Sequence, residues 1–148
     1  MAGIIASVQT VEITTGTALK TLLQLVAAAN HRAKVKEISV SFKGVSGSGT
    51  PVLVQVARQT TAGTMSALTP KNFNDHDDET LQTTALHTAT AEPTLTDVVM
   101  SELVHPQGGF TWQAPFGGEI AVIGGSRLGI VVTAAEAVNA VARIVFEE

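Results

Sequence analysis

Cysteine and tyrosine are missing from this 148-residue chain, tryptophan occurs once, and aromatic residues make up 4% of it. Without cysteine there is no disulfide framework, no thiolate nucleophile and no cysteine-bound metal. Charge is scarce too: Asp, Glu, Lys and Arg together are 15% of the residues, with nine basic against thirteen acidic and a formal net charge of −4. Nine scattered cations make no basic stripe. The composition therefore argues against nucleic acid as the main partner, because phosphate neutralisation dominates that kind of affinity. No uninterrupted apolar run approaches the roughly 20 residues that span a bilayer. Residues 1–6 lack the basic start and long apolar run of a signal peptide. A membrane partner is not expected, and the chain is expected to be made in the cytoplasm and to stay soluble or assemble there.

What the chain has instead is Val, Ala and Thr, with 45% hydrophobic residues. Two readings follow: a β protein with a threonine-coated surface, or a chain that buries part of its outside against copies of itself or a partner. The length is that of one domain. At this size a chain can bury roughly 70% of its unfolded surface without a covalent staple.

The most informative stretch is 119–148. It holds three apolar segments: 119–123, closed by Gly124-Gly125; 127–133; and 138–146, ended by Glu147-Glu148. Each has strand length and is rich in β-branched residues. In the last, Val141, Arg143 and Val145 point one way and Ala142, Ile144 and Phe146 the other. An all-β domain finishing on a central strand is predicted. Upstream, 35–43 alternates as a strand with Ile38, Val40 and Phe42 inward. Pro51 opens another with Val52, Val54 and Val56 on one face. Further strands are predicted over 83–91, over 95–104 with Val99 and Leu103 inward, and over 110–114. Glycine pairs at 108–109, 117–118 and 124–125 punctuate them at intervals of about 8 residues, as in a sandwich or barrel. Residues 44–50 read as a flexible loop, and 60–84 as a long irregular one. The spacing of Leu19, Leu22, Leu23 and Val26, followed by Ala27-Ala28-Ala29, predicts a helix over 19–29. In 1–17, Val8, Val11 and Ile13 alternate loosely, giving either an edge strand or an arm lying on a neighbour.

Candidate sites are few. Asp75, His76, Asp77, Asp78 and Glu79 offer oxygen ligands for calcium, but without EF-hand spacing, so a solvated acidic loop is expected. His31, His76, His87 and His105 form no pair at metal-ligand spacing. Ser48 and Ser126 lie near glycines but not in a nucleophile elbow. The run 124–129 lacks the Lys-Ser/Thr of a phosphate loop and reads as a hairpin turn. Phe110, Trp112 and Phe116 gather near a turn, either as core or as interface anchors. No catalytic residue, cofactor or metal is expected, and the chain does not read as an enzyme.

Several stretches, in order, carry a resemblance: 50–54 (TPVLV), 58–64 (RQTTAGT), 88–94 (TATAEPT), 105–110 (HPQGGF), 124–130 (GGSRLGI), and 137–139 (AVN) with the ending 146–148 (FEE). Together they resemble small decoration, or cement, proteins from the virion gene clusters of tailed bacteriophages. The similarity begins at about Lys20, so 1–17 lie outside it. It implies a single-domain, jelly-roll-like β-sandwich over 18–148 that assembles as a homotrimer. It implies a place on the outer surface of the virion's capsid, against the major capsid protein. It also implies strand rather than helix for 19–29. On that reading the candidate interface residues are Ile4, Ile5, Val8, Val11, Ile13, Phe110, Trp112 and Phe116. The alternatives are a fibre, tail or lectin-like receptor-binding trimer, and an enzyme on a β-barrel scaffold.

Overall fold

The protein's structure, a computed structural model, describes residues 3–44, 49–73 and 80–148. Among them there are thirteen strands and no helix: β1 (Ile5–Gln9), β2 (Ile13–Thr14), β3 (Lys20–Val26), β4 (Ala33–Lys43), β5 (Val52–Gln59), β6 (Thr64–Leu68), β7 (Lys71–Asn72), β8 (Thr84–Ala91), β9 (Leu95–Val104), β10 (Gly109–Gln113), β11 (Ile120–Val122), β12 (Arg127–Thr133) and β13 (Asn139–Glu147). They form two antiparallel sheets. Sheet A runs β10-β4-β13-β1-β7, with β11 also on β4 and β2 also on β13. Sheet B runs β6-β8-β3-β12-β5-β9.

The inner faces of the two sheets make one core, as in a β-sandwich. Sheet A supplies Ala6, Val8, Val35, Ile38, Val40, Phe42, Ala142, Ile144 and Phe146, and sheet B supplies Leu23, Leu25, Val52, Val54, Val56, Leu128, Ile130 and Val132. Burying a side chain the size of Phe146 or Leu128 contributes about 1.5–3 kcal/mol. The strands predicted from alternation are present: β4, β5, β8, β10, β12 and β13 lie within a few residues of the expected ranges, and β13 is central in sheet A. Between β11 and β12 the chain turns through Gly124-Gly125, where Gly125 takes φ +75° and the Ser126 amide donates to Ile123 O at 2.8 Å. That is the hairpin turn expected there.

Three expectations are corrected. The helix that spacing predicts over 19–29 is instead a strand, as the resemblance implies: β3 lies between β8 and β12. A bulge opposite Ile130/Val131 interrupts its alternation, and Thr21–Leu25 are all buried, so its polar–apolar period is lost. Val99 and Leu103 do not face inward. β9 pairs with β5 through irregularities around Ala57, and Met100 and Val104 meet Val56 and Val52 instead, leaving Leu103 71% exposed. The irregular stretch 60–84 contains β6, an edge strand on β8, and the two-residue β7 on β1.

The N-terminal segment lies in its own sheet. β1 pairs along its length with β13, Ile5 opposite Glu147 and Gln9 opposite Arg143, and holds β7 on its other side. Ile4 and Glu148 exchange both backbone hydrogen bonds, at 3.0 and 2.9 Å. Of the two expectations for this segment, the strand is the one this fold contains.

Candidate interaction surface

Among the described residues there is no group of three or more His, Cys, Asp or Glu placed to hold a metal ion. His87 Nδ1 contacts Thr88 Oγ1 at 2.9 Å, and His105 Nδ1 accepts the Gln107 amide at 3.1 Å in the turn before β10. Ser48, His76 and the acidic run 75–79 lie outside the described residues.

The outer face of sheet A is a lattice of ion pairs. Lys36 Nζ reaches Glu147 at 2.8 Å and Glu119 at 3.5 Å, Lys43 reaches Glu12 at 3.4 Å, and Arg143 pairs with Glu37. The hydrogen bond to Glu147 raises the Lys36 ammonium's pKa, and the same bond holds Glu147 below the usual carboxylate range. Hydrogen bonds from Asn139 and Lys43 do the same for Glu12. Exposed pairs of this kind contribute little to stability. They do keep this face hydrated and unsuited to apolar docking.

At one margin Glu148 acts as a clamp. Its carboxylate accepts the Thr83 amide at 2.6 Å and the Gln82 amide at 2.9 Å, fixing the chain just before β8. Burial pushes its pKa up, but the hydrogen bonds from Thr83 and Gln82, with the charge of His31, outweigh that and leave it lowered.

The outer face of sheet B is divided. Over β3 and β12 it carries a buried polar network: Gln24 Nε2 donates to Gln59 Oε1 (2.7 Å) and Thr61 O (3.0 Å), Gln59 Nε2 donates to Thr21 Oγ1 (3.0 Å), and Arg127 Nη1 donates to Gln24 Oε1 (2.8 Å). Glu92 accepts the Thr21 amide at 2.8 Å, and Thr60 and Thr94 are joined by a backbone bond at 3.0 Å, so the β5–β6 and β8–β9 connections tie down over the network. Gly129 makes room for it: a Cβ there would stand 2.4 Å from Gln59 Oε1.

The remaining part of sheet B, at β5 and β9, is open, and this is the surface with unused apolar area. β9 is the free edge of sheet B, while β10 and β11 form the corresponding edge of sheet A on β4. β9 and β10 come together on the same side of the sandwich. This side exposes Val98, Val99, Leu103, Phe116 and Ile123, five of the eight large hydrophobics exposed among the described residues. Leu103 stands opposite half-buried Leu53. Glu102 occupies a core-facing register position opposite Val54, and an inward charge of this sort discourages addition of another strand at an edge. Side chains rather than backbone ladders are therefore what this side offers a partner.

The expected interface residues separate accordingly. Phe116 is fully exposed on the open side, in the turn between β10 and β11. Phe110 and Trp112, on β10, are half-buried and pack against the core. Ile4 and Val8 are buried in their own sandwich, Ile5 is half-buried on the other face of β1, Ile13 packs on the core, and Val11 is the exposed member of that group. The sequence reading missed Val98, Val99, Leu103 and Ile123, whose exposure follows from edge position. No protein-family model matches the chain, and neither any curated protein nor any solved structure matches it.

Proposed function

We propose that the chain is a structural virion protein: a decoration, or cement, protein that trimerises and sits on the outer surface of a tailed-phage head against the major capsid protein. The observation on the molecule that carries this reading is the open side, where Val98, Val99, Leu103, Phe116 and Ile123 are exposed along β9 and in the turns flanking β11. Exposed large apolar side chains beside sheet edges are the kind of surface a protein partner covers. Phage identity rests on the ordered resemblance from Lys20 onward. A jelly-roll topology is supported by the strand order: β1, β13, β4 and β10 are neighbours in one sheet, and β3, β12, β5 and β9 in the other. That is eight strands in two sheets, with chain-distant strands interleaved as in paired Greek keys. β6, β7 and β8 are then an insertion between β5 and β9.

Two measurements test the reading. Native mass measurement is expected to give three times the 15.3 kDa chain mass, and Leu103→Asp to shift the protein toward monomer while it stays folded. Antibody labelling of particles in electron micrographs is expected around the head. A monomer at micromolar concentration that also appears singly on particles overturns the trimer, and labelling at the tail tip overturns decoration in favour of receptor binding.

A further inference from the structure

At one end of the open side lies a cleft of about 500 Å³ lined by Arg58, Thr96, Asp97, Ile123, Ser126 and Arg127, among others. Arg58 comes from the end of β5 and Arg127 from the start of β12, and they are brought together only by the fold. Each guanidinium is anchored by a neutral oxygen. Arg58 Nη1 donates to Ala121 O at 2.8 Å, and Arg127 Nη1 donates to Gln24 Oε1, itself held in the buried network, at 2.8 Å. Neither forms an ion pair with a described carboxylate, although Asp97 lines the same cleft. On the opposite sheet Lys36, Lys43 and Arg143 are all paired. Both arginines line this one cleft, Arg127 in register with Gln59 and Arg58 with Leu128. An anchored guanidinium still has donors left, in the planar fork that fits a carboxylate.

We propose that this cleft binds a carboxylate carried on an acidic peptide segment of a partner protein. Two isolated cations are too few for a polyanion such as nucleic acid, which needs many phosphate contacts. The cleft is bordered by exposed Ile123, with Val98 next to Asp97 on β9, so a peptide rather than a free anion covers both the charge and the apolar lip. Asp97 gives the cleft a polarity: it repels a second acidic group on its own side and orders the peptide across the two arginines. The partner's identity rests on the assembly role proposed above, whereas the carboxylate chemistry stands on the isolated chain.

The test is a titration of ¹⁵N-labelled protein with N-acetyl tetraglutamate amide, tetraglutamine amide and sodium phosphate at matched ionic strength, following the arginine Nε–H resonances. The glutamate peptide is expected to shift Arg58 and Arg127 saturably, the glutamine peptide to leave them in place, and phosphate to act more weakly. R58Q and R127Q are each expected to weaken binding about tenfold, the scale of one charge-assisted hydrogen bond. Because R127Q also disturbs the buried network, the R58K/R127K variant, checked for a native spectrum, provides the control. It keeps the charge, loses the fork, and is expected to bind several-fold more weakly than the parent. Absent arginine shifts, equal shifts with glutamine, phosphate binding as tight as the peptide, or a folded R58K/R127K protein binding as tightly as the parent would each overturn the proposal. Peptide binding with tail-tip labelling would keep this site and discard decoration; head labelling without peptide binding would do the reverse.

Discussion

Gln24→Leu tests whether the network over β3 and β12 stabilises the fold. The substitution keeps bulk and removes three hydrogen bonds, but their loss is not equally costly. Thr61 O is on an exposed residue and Arg127 is half-buried, so both can turn to water. Gln59 Oε1 cannot, because Gln59 is 3% exposed beneath the crossing connections. One stranded buried acceptor plus the net loss of two rescuable bonds costs about 2 kcal/mol. In a domain of this size that lowers Tm by about 4–8 °C. Gln59→Leu strands Thr21 Oγ1 in the same way, as Thr21 is fully buried. The double variant removes both ends of the Gln24–Gln59 bond. It is expected to cost at least about 1 kcal/mol less than the sum of the single variants, since replacing both partners leaves fewer orphans. The assay is urea unfolding at constant m-value, completed as a double-mutant cycle. Single variants within about 0.5 kcal/mol of the parent, the range of an ordinary surface change, would refute the reasoning, as would strict additivity.

Deleting residues 3–9 removes β1 from between β13 and β7 and is expected to abolish cooperative melting; an unchanged melt of the isolated protein would restore the arm reading. Val8→Ala, a milder cut at a residue 2% exposed, is expected to cost about 2 kcal/mol in urea unfolding. Glu148→Gln weakens the clamp on Gln82 and Thr83. Because the folded-state pKa of Glu148 is lowered, its contribution is present above the unfolded value of about 4.3 and is lost as pH falls through the folded one. The stability gap between E148Q and the parent should therefore narrow from pH 7 to pH 3, and a widening gap in urea midpoints would contradict the clamp.

Sequence patterning carried the fold where one face of a strand meets core and the other meets water. β4, β5 and β13 read correctly because Val40, Val54 and Ala142 alternate with exposed or half-exposed neighbours. It failed at β3, where connections cover the outer face and Gln24 is as buried as Leu23 and Leu25. It failed again at β9, where the edge position, not the pattern, decides which valines are wet. The N-terminal strand was legible in Ile4, Ala6 and Val8, which share the buried face, but the loose series Val8, Val11 and Ile13 obscured it. The Arg58–Arg127 cleft had no local signal. Its residues come from different strands and converge only through sheet pairing.

The last two strands in chain order, β12 and β13, take central places. β12 lies between β3 and β5, and β13 between β1 and β4. While the ribosome still holds residues 127–147, each sheet is two fragments with a one-strand gap between them. The nascent chain then presents bare backbone edges and unfilled apolar faces on both sides of each gap. Contacts between strands so distant in sequence form slowly, and the incomplete species is prone to aggregate. Neither sheet can close until residues 127–147 have left the ribosome. A stall or truncation between β11 and β12 leaves a polypeptide with eleven of the thirteen strands and neither sheet joined across its centre.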